Sequence, residues 1–347
     1  MKKRVSIKDI AQQAGVSHST VSRALQGTGR MSEETRARII ELADALGYAP
    51  DALAQSLVRG RTKTVGVVVT TISDPFVAGI VAGIEEVAGE AGYTVLLGAS
   101  HSNPDREMAV VENLRQRRVD AVIVTASRVG DHYSEHLQRF GVPIVLVNNM
   151  VKGEYLYSVT CDQTSGAQQA VSYLINLGHR RIAYIGSASR RHSSQMRQRG
   201  YELALSEAGL TADASLIVAP TERKDVAAGR RALQELWAQG PTAILAYNDL
   251  TAIGVMIAAR EMGVRIPKDI SLIGFDDIEA TEFVTPPLTT VRQPREAMGR
   301  AAMRMALDLL HEKTIQNRVL ACKLVVRNSV ATLEKNKMLA VPFGNNV

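Results

Sequence analysis

The 347-residue chain is predicted to fold as a small all-α helix-turn-helix head followed by an α/β core of two doubly wound parallel sheets. Three observations carry that prediction. Residues 6–25, SIKDIAQQAGVSHSTVSRAL, have the spacing of two short helices around a sharp turn. From Thr64 onward, near-continuous apolar runs alternate with helix-length segments, the mark of parallel strands covered on both faces. After Cys161 the alternation restarts, so two βα repeats of similar size follow each other, and two sheets rather than one.

In the head, Ile7, Ile10 and Ala11 make one apolar face at helical spacing. Ser6 with Asp9 reads as a capping box, and Gly15 suits the turn because it tolerates positive φ. Ser17 offers an N-cap hydroxyl to a second helix whose Val21, Ala24 and Leu25 face inward. His18, Ser19, Thr20, Ser22 and Arg23 leave that apolar face, and hydroxyls and a guanidinium there suit phosphates and base edges. Residues 32–46 form a third helix, capped by Ser32, with Glu33 and Glu34 at its positive end and Gly47 closing it. The stretch 50–60, PDALAQSLVRG, reads as a helix of about two turns, marginal in water by itself.

The core elements follow in order. VGVVV (65–69) is a strand, then a helix runs over 75–91, a strand over 93–99 and a helix over 105–117. DAVIVTA (120–126) and PIVLVNN (143–149) are strands flanking a shorter helix. The second half has a helix over 164–177, strand RIAYIGS (181–187), a helix to about 208, strand LIVAP (216–220) and a helix near 225–238. AILAYND (243–249) and ISLIGFDD (270–277) flank another helix. TTVRQ (289–293), the helix 295–311 and KLVVRNSV (323–330) fit either half by pattern alone, and 334–347 reads as a loose tail. Ligands in such sheets bind beyond the carboxyl ends of the strands. Asp74, Thr125, Asn148, Asn149, Asn248, Asp249, Asp276 and Asp277 occupy those ends, and their repeated placement predicts a cleft.

The formal net charge is +6, and eleven basic against six acidic residues lie between Met1 and Lys63. Nearly all the excess therefore coincides with the helix-turn-helix, the footprint of a nucleic-acid partner. Cys161 and Cys322 lack metal-ligand spacing and sit in apolar runs, so both read as buried free thiols. No apolar run approaches the ~20 residues of a membrane span, and no apolar stretch follows Lys2–Arg4 as in a signal peptide. A cytoplasmic, nucleoid-associated protein is expected.

With these residues in hand, the chain resembles the lactose/galactose repressor (LacI/GalR) family of bacterial transcription regulators, from about Ser6 to Thr332. The motifs that carry the resemblance are IKDIAQQAGVSHSTVSRAL, ALAQSLVRGRTKTVGVV, SDPF, LGHRRIAYIG, AYNDLTAIG, VRIPKDISLIGFDD and PPLTTVRQP. It implies a DNA-binding head (1–49), a hinge helix and linker (50–63) and a periplasmic-binding-protein-like core (64–333). Within that core it assigns 64–160 and 292–321 to one subdomain and 161–291 and 322–333 to the other. It also implies a homodimer on a near-palindromic double-stranded operator, and a sugar-like effector bound between the subdomains.

By position, the resemblance gives base reading to His18 and Ser19, with Arg23 one turn on, and phosphate contacts to Thr20 and Ser22. Ser6, Ser17 and Ala54 join the DNA contacts, and Leu57 is the wedge into the minor groove, as an apolar lever that kinks DNA should be. Asp51 departs from the family's asparagine. In the cleft it assigns Asp74, Phe76, Thr125, Asn148, Arg191, Arg197, Lys224, Asn248, Asp276 and Gln293 to the effector. Lys224 stands where relatives carry a stacking aromatic. With Arg190, Arg191, Arg197 and Arg223, it favours an acidic sugar over a neutral one. No catalytic residue, metal or cofactor is expected. A periplasmic binding protein would share the core but not the basic head. An oxidoreductase or hydrolase is disfavoured, because no early G-x-G-x-x-G, nucleophile elbow or metal-type histidine cluster is present.

Overall fold

The computed structural model describes residues 5–48, 60–127, 141–149, 157–222 and 224–333. It divides into two compact units, Met1–Thr62 and Lys63–Val347. The first holds helices α1 (Ile7–Ala14), α2 (His18–Leu25) and α3 (Glu33–Ala45). Each start is fixed by its own serine. Ser6 and Asp9 form the full capping box, the Ser17 hydroxyl accepts from the Thr20 amide, and the Ser32 hydroxyl accepts from the Thr35 amide. Gly15, at φ 67°, closes α1 in the left-handed conformation that lets α2 fold back. Ile10, Val21, Ala24, Ile39 and Ala43 form the buried centre, and Arg38 donates at 2.9 Å to the Ala14 carbonyl left open at the end of α1.

The second unit contains two six-stranded sheets. The strands of the first are β1 (Thr64–Val69), β2 (Thr94–Ala99), β3 (Ala121–Thr125), β4 (Ile144–Val147), β5 (Tyr157–Cys161) and β11 (Arg318–Leu320). They lie in the order β11-β5-β4-β3-β1-β2, every pair parallel. The second sheet has β6 (Ile182–Ile185), β7 (Ile217–Val218), β8 (Ala243–Ala246), β9 (Ser271–Asp276), β10 (Thr289–Arg292) and β12 (Lys323–Val325). Their order is β12-β10-β9-β8-β6-β7, parallel except at the β10–β12 edge.

Alternation along each strand feeds two apolar layers. In the first sheet Val65, Val67, Ile123 and Val145 pack under helices Pro75–Glu90 and Arg295–Leu310. Val68, Val122, Val124 and Leu146 point the other way, onto Val111 and Leu114 of helix Pro104–Gln116. In the second sheet Tyr184, Leu245, Ile273 and Phe275 meet helices Gln163–Asn176 and Arg191–Glu207, while Ile185, Ile244 and Leu272 meet Asp225–Leu236 and Asp249–Glu261. The exception is β2. It is an edge strand whose Leu97 is 46 % exposed, so its apolar run is not covered on both faces as its composition suggested. LIVAP likewise contributes only Ile217–Val218 as strand, and KLVVRNSV only Lys323–Val325.

The chain passes between the sheets three times: after Cys161, between Arg292 and Arg295, and between Leu320 and Lys323. Helix Arg295–Leu310 therefore serves the first sheet although the strand before it belongs to the second. In each sheet the strand order reverses beside the first strand of its repeat, between β1 and β3 and between β6 and β8. A crevice opens at such reversals, at the carboxyl ends of the strands.

Candidate functional site

On the head, His18 and Arg23 are exposed on α2, and Ser19, Thr20 and Ser22 are half-buried along it. The Ser17 hydroxyl lies 2.8 Å from those of both Ser19 and Thr20, so the start of α2 carries a cluster of mutually bonded hydroxyls. Ser22 accepts from Gln26 at 3.3 Å. Ser6 is exposed but spent on its own cap, its amide and hydroxyl both bonded to Asp9. Ala54 and Leu57, with the whole of 49–59, lie outside the described residues, as does Arg223.

In the core, the carboxyl ends of the two sheets face one cavity of about 110 Å3 that is partly open to solvent. Asp74, Phe76, Asn148, Arg191, Arg197, Asn248, Asp276 and Gln293 all line it. Two assigned residues do not. Thr125 is buried within β3 and its hydroxyl donates to the Val68 carbonyl at 3.2 Å, while the next residues, Ala126 and Ser127, reach the cavity. Lys224 is exposed at the start of helix Asp225–Leu236 and away from the lining. Its backbone begins a helix there, and the side chain runs to solvent, where an ammonium is best hydrated.

Two arginines, the buried Arg197 and the half-buried Arg190, are consumed by the protein itself. Arg197, on helix Arg191–Glu207, is 3 % exposed; its Nε donates to Gln163 Oε1 at 2.9 Å, its Nη1 to the Tyr247 carbonyl, and its Nη2 stands 3.6 Å from Asp276 Oδ1. Its guanidinium lies 4.5 Å from the Tyr247 ring centre and 3.9 Å from that of Phe275. Arg190 grips both Asp225 oxygens at 2.8 and 3.0 Å and reaches to 3.9 Å from Asp74. The Asp225 carboxylate also accepts from Asn248 Nδ2 at 2.8 Å. Arg191, exposed at the mouth, has no ion-pair partner among the described residues.

The carboxylates feel their burial. Desolvation pushes Asp276 up to about 6 despite the opposing Arg197, and raises Asp74 despite Arg190. Behind them, Asp249 is fully enclosed, accepting from Thr290 Oγ1 at 2.5 Å and from the Ile278 amide at 2.9 Å. Those bonds hold the turn after β9, where Asp276 has φ 117° and Asp277 φ 56°. Gly274 leaves the room: a Cβ there would stand 2.2 Å from Asp249 Oδ1. The strained backbone is thus over-determined, and it aims Asp276 into the cavity.

Tyr247, Arg190, Ser193 and Asn149 line the cavity without having been assigned to it. Tyr247 sits inside the run AILAYND and reads as strand, and its phenol meets the Ser193 hydroxyl at 2.7 Å. Cys161 and Cys322 are buried and free. Cys161 donates to Gln293 Oε1 at 2.7 Å, and its hydrogen bond with Cys322 together with burial raises its thiol well above the usual range. Among the described residues no group of three metal-type ligands converges, and no helix is long and apolar enough to cross a membrane.

Comparison with known proteins places this geometry. Residues 6–51 match the bacterial regulatory proteins of the lacI family, and residues 171–330 match a periplasmic binding protein-like domain. The HTH-type transcriptional repressor CytR of Escherichia coli (strain K12) is 34% identical over 334 residues, covering 94% of this chain and 97% of that protein. Catabolite control protein A of Priestia megaterium is 34% identical over 318 residues, 91% of this chain and 95% of its own. In structure, the Lac repressor dimer bound to operator and the anti-inducer ONPF has a TM-score of 0.85 at 27% identity, with 95% of this chain and all of that one covered. The complex of the transcriptional regulator CelR with cellobiose has a TM-score of 0.70 at 32% identity, covering 94% and 100%. The relatives are transcription regulators rather than enzymes, and the three-helix head, the paired parallel sheets and the cavity between them agree: this chain belongs to the lacI family of bacterial regulatory proteins.

Proposed function

We propose that this protein is a dimeric transcriptional repressor whose affinity for operator DNA is set by a polyhydroxylated, sugar-like molecule bound in the cavity. The observation that carries the effector class is the polarity of the lining. Asp74 and Asp276 present carboxylate acceptors, while Asn148 and Asn248 come from different strand ends with amide groups. The carbonyl of Asn248 is held by the Thr251 amide, a group that can only donate, so its NH2 end faces Asp225 and the cavity side. Acceptors and donors around one small volume match vicinal hydroxyls, which do both. Phe76 adds an apolar wall for a sugar face.

The cations bear on the acidic alternative. Arg190 and Arg197 are already neutralised by Asp225, Asp74 and Asp276, and Lys224 is outside, so a neutral sugar is the first reading. Arg191 favours a second, in which a carboxylate or phosphate at one end of the sugar meets its guanidinium at the uncapped start of helix Arg191–Glu207. Homologous structures with operator and anti-inducer, and with cellobiose, support the pairing of DNA and sugar-like ligands in one molecule. DNA recognition is assigned to α2, with His18 and Ser19 at base edges and Thr20 and Ser22 at phosphates.

The test selects an operator from random duplexes, then titrates the complex with neutral sugars, their aldonic or uronic acids, and purines. Release or tightening by a sugar supports the reading, and loss of a sugar acid's advantage in Arg191→Ala supports the second form. A response to purines alone overturns both.

A further inference from the structure

We propose that Gln163, which does not line the cavity, ties the two subdomains together through Asn148 and sets the hydrogen-bond polarity that Asn148 shows to the effector. This inference rests on the cavity being the effector site. Gln163 is the first residue of helix Gln163–Asn176, immediately after the first passage between the sheets, and is 5 % exposed. Both ends of its amide are engaged. Oε1 accepts from Arg197 Nε at 2.9 Å, and Nε2 donates to Asn148 Oδ1 at 2.9 Å. Arg197 lines the cavity from the second sheet and Asn148 from the first. Gln163 therefore joins one cavity residue of each subdomain.

The direction of every bond in this chain follows from its first member. A guanidinium has donors and no acceptor, so the end of Gln163 that meets Arg197 is its carbonyl oxygen. The other end is then NH2, and the Asn148 atom that it meets must be the carbonyl oxygen. That leaves the NH2 group of Asn148 as its unspent end, and Asn148 is a donor toward the ligand. Asn148 is held for this in a left-handed turn, φ 57°, which asparagine tolerates and most side chains do not. The bond is also a subdomain tie. Gln163 and Arg197 travel with the second sheet, so separating the sheets breaks the 2.9 Å contact to Asn148 and takes from the buried Gln163 amide its acceptor, a cost that favours the closed arrangement.

Two variants test this in the full-length protein. Gln163→Met keeps length and removes both bonds. Gln163→Glu, ionised at pH 8, still accepts from Arg197 but cannot donate, so Asn148 must turn its NH2 inward and its carbonyl to the cavity. Spin labels at Gln116→Cys on the first subdomain and Ser206→Cys on the second report the subdomain separation without any ligand. The native Cys161 and Cys322 are buried, and both are replaced by serine in every labelled protein. Gln163→Met should broaden and lengthen the distance distribution, and Gln163→Glu should restore it. An unchanged distribution in Gln163→Met overturns the tie.

For polarity, the probes are cellobiose, D-ribose and D-galactose with their monodeoxyfluoro analogues, whose fluorine cannot donate. At the position facing Asn148, the wild type should tolerate fluorine, and Gln163→Glu should lose roughly tenfold in relative affinity for that analogue, within the usual range of coupling effects. The same ranking in both proteins overturns the polarity. If no sugar probe binds the wild type, the sugar reading of the cavity fails while the spin-label distances still decide the role of Gln163.

Discussion

Arg197 and Asp276 reach the cavity from a helix and a strand end far apart in the chain, and their charges lie 3.6 Å apart with both side chains buried. Such a pair is costly to break from one side. Arg197→Met should lower core stability by roughly 3–5 kcal/mol, because it leaves a buried carboxylate without its cation. Adding Asp276→Asn should recover much of that loss. Urea unfolding of the wild type, both single variants and the double variant closes the cycle; simple additivity would show that the two side chains act independently.

The raised Asp276 carboxyl predicts two opposite pH effects. Its native value of about 6 lies above the unfolded value of about 3.9. Between those values the native state binds more protons, so this group's contribution to stability grows as pH falls through 6 and is lost as pH rises through it. Asp74 and Asp249, also raised by burial, act in the same sense. Effector affinity should move the other way, falling below about pH 6 as the acceptor for a hydroxyl is protonated. Thermal melts and calorimetry from pH 5 to 8 check both, and Asp276→Asn should flatten part of each profile.

Helices Pro75–Glu90 and Arg295–Leu310 cross with backbone against backbone. A Cβ on Gly83 would stand 2.1 Å from the Glu296 carbonyl oxygen, and one on Gly299 would stand 2.0 Å from that of Ile80. Gly83→Ala should therefore destabilise by about 1–3 kcal/mol as the helices are forced apart. On the same helix, a Cβ on Gly89 would meet nothing within 4 Å among the described residues. Gly89→Ala should instead stabilise by about 0.5–1 kcal/mol through the lower entropy of the unfolded chain. Opposite signs on one helix separate packing from propensity, and melting temperatures of the two variants read them directly.

On the head, His18→Ala should relax base preference at one or two operator positions, each worth about 1–3 kcal/mol. Thr20→Val should weaken binding to all sequences alike, since phosphate contacts carry no sequence information. A randomised-operator selection distinguishes the two; an unchanged consensus for His18→Ala would remove it from base reading.

What the sequence determined by itself is what neighbouring residues decide among themselves. Ser6 with Asp9, Ser17 with Thr20 and Ser32 with Thr35 close over three residues, so the three head helices and their starts could be read directly. The apolar runs of β1, β3, β4, β6, β8 and β9 likewise announced parallel strands, because a strand covered on both faces needs little beyond its own composition. Polar residues at strand ends pointed to a cleft for the same local reason. The tertiary structure alone decided which of them meet. Thr125 and Ala126 differ by one residue, yet one hydroxyl bonds inside the sheet while its neighbour lines the cavity, since the strand ends at Thr125 and the chain turns at Ala126, φ 48°. Arg190 and Arg197 looked like free cations in sequence and become internal ion pairs only when Asp225 and Asp276 arrive from other segments. Gln163 carried no signal at all. Its role depends on Arg197 and Asn148 approaching from opposite sheets, and hydrogen bonds over such distances in the chain are set by packing, not by spacing.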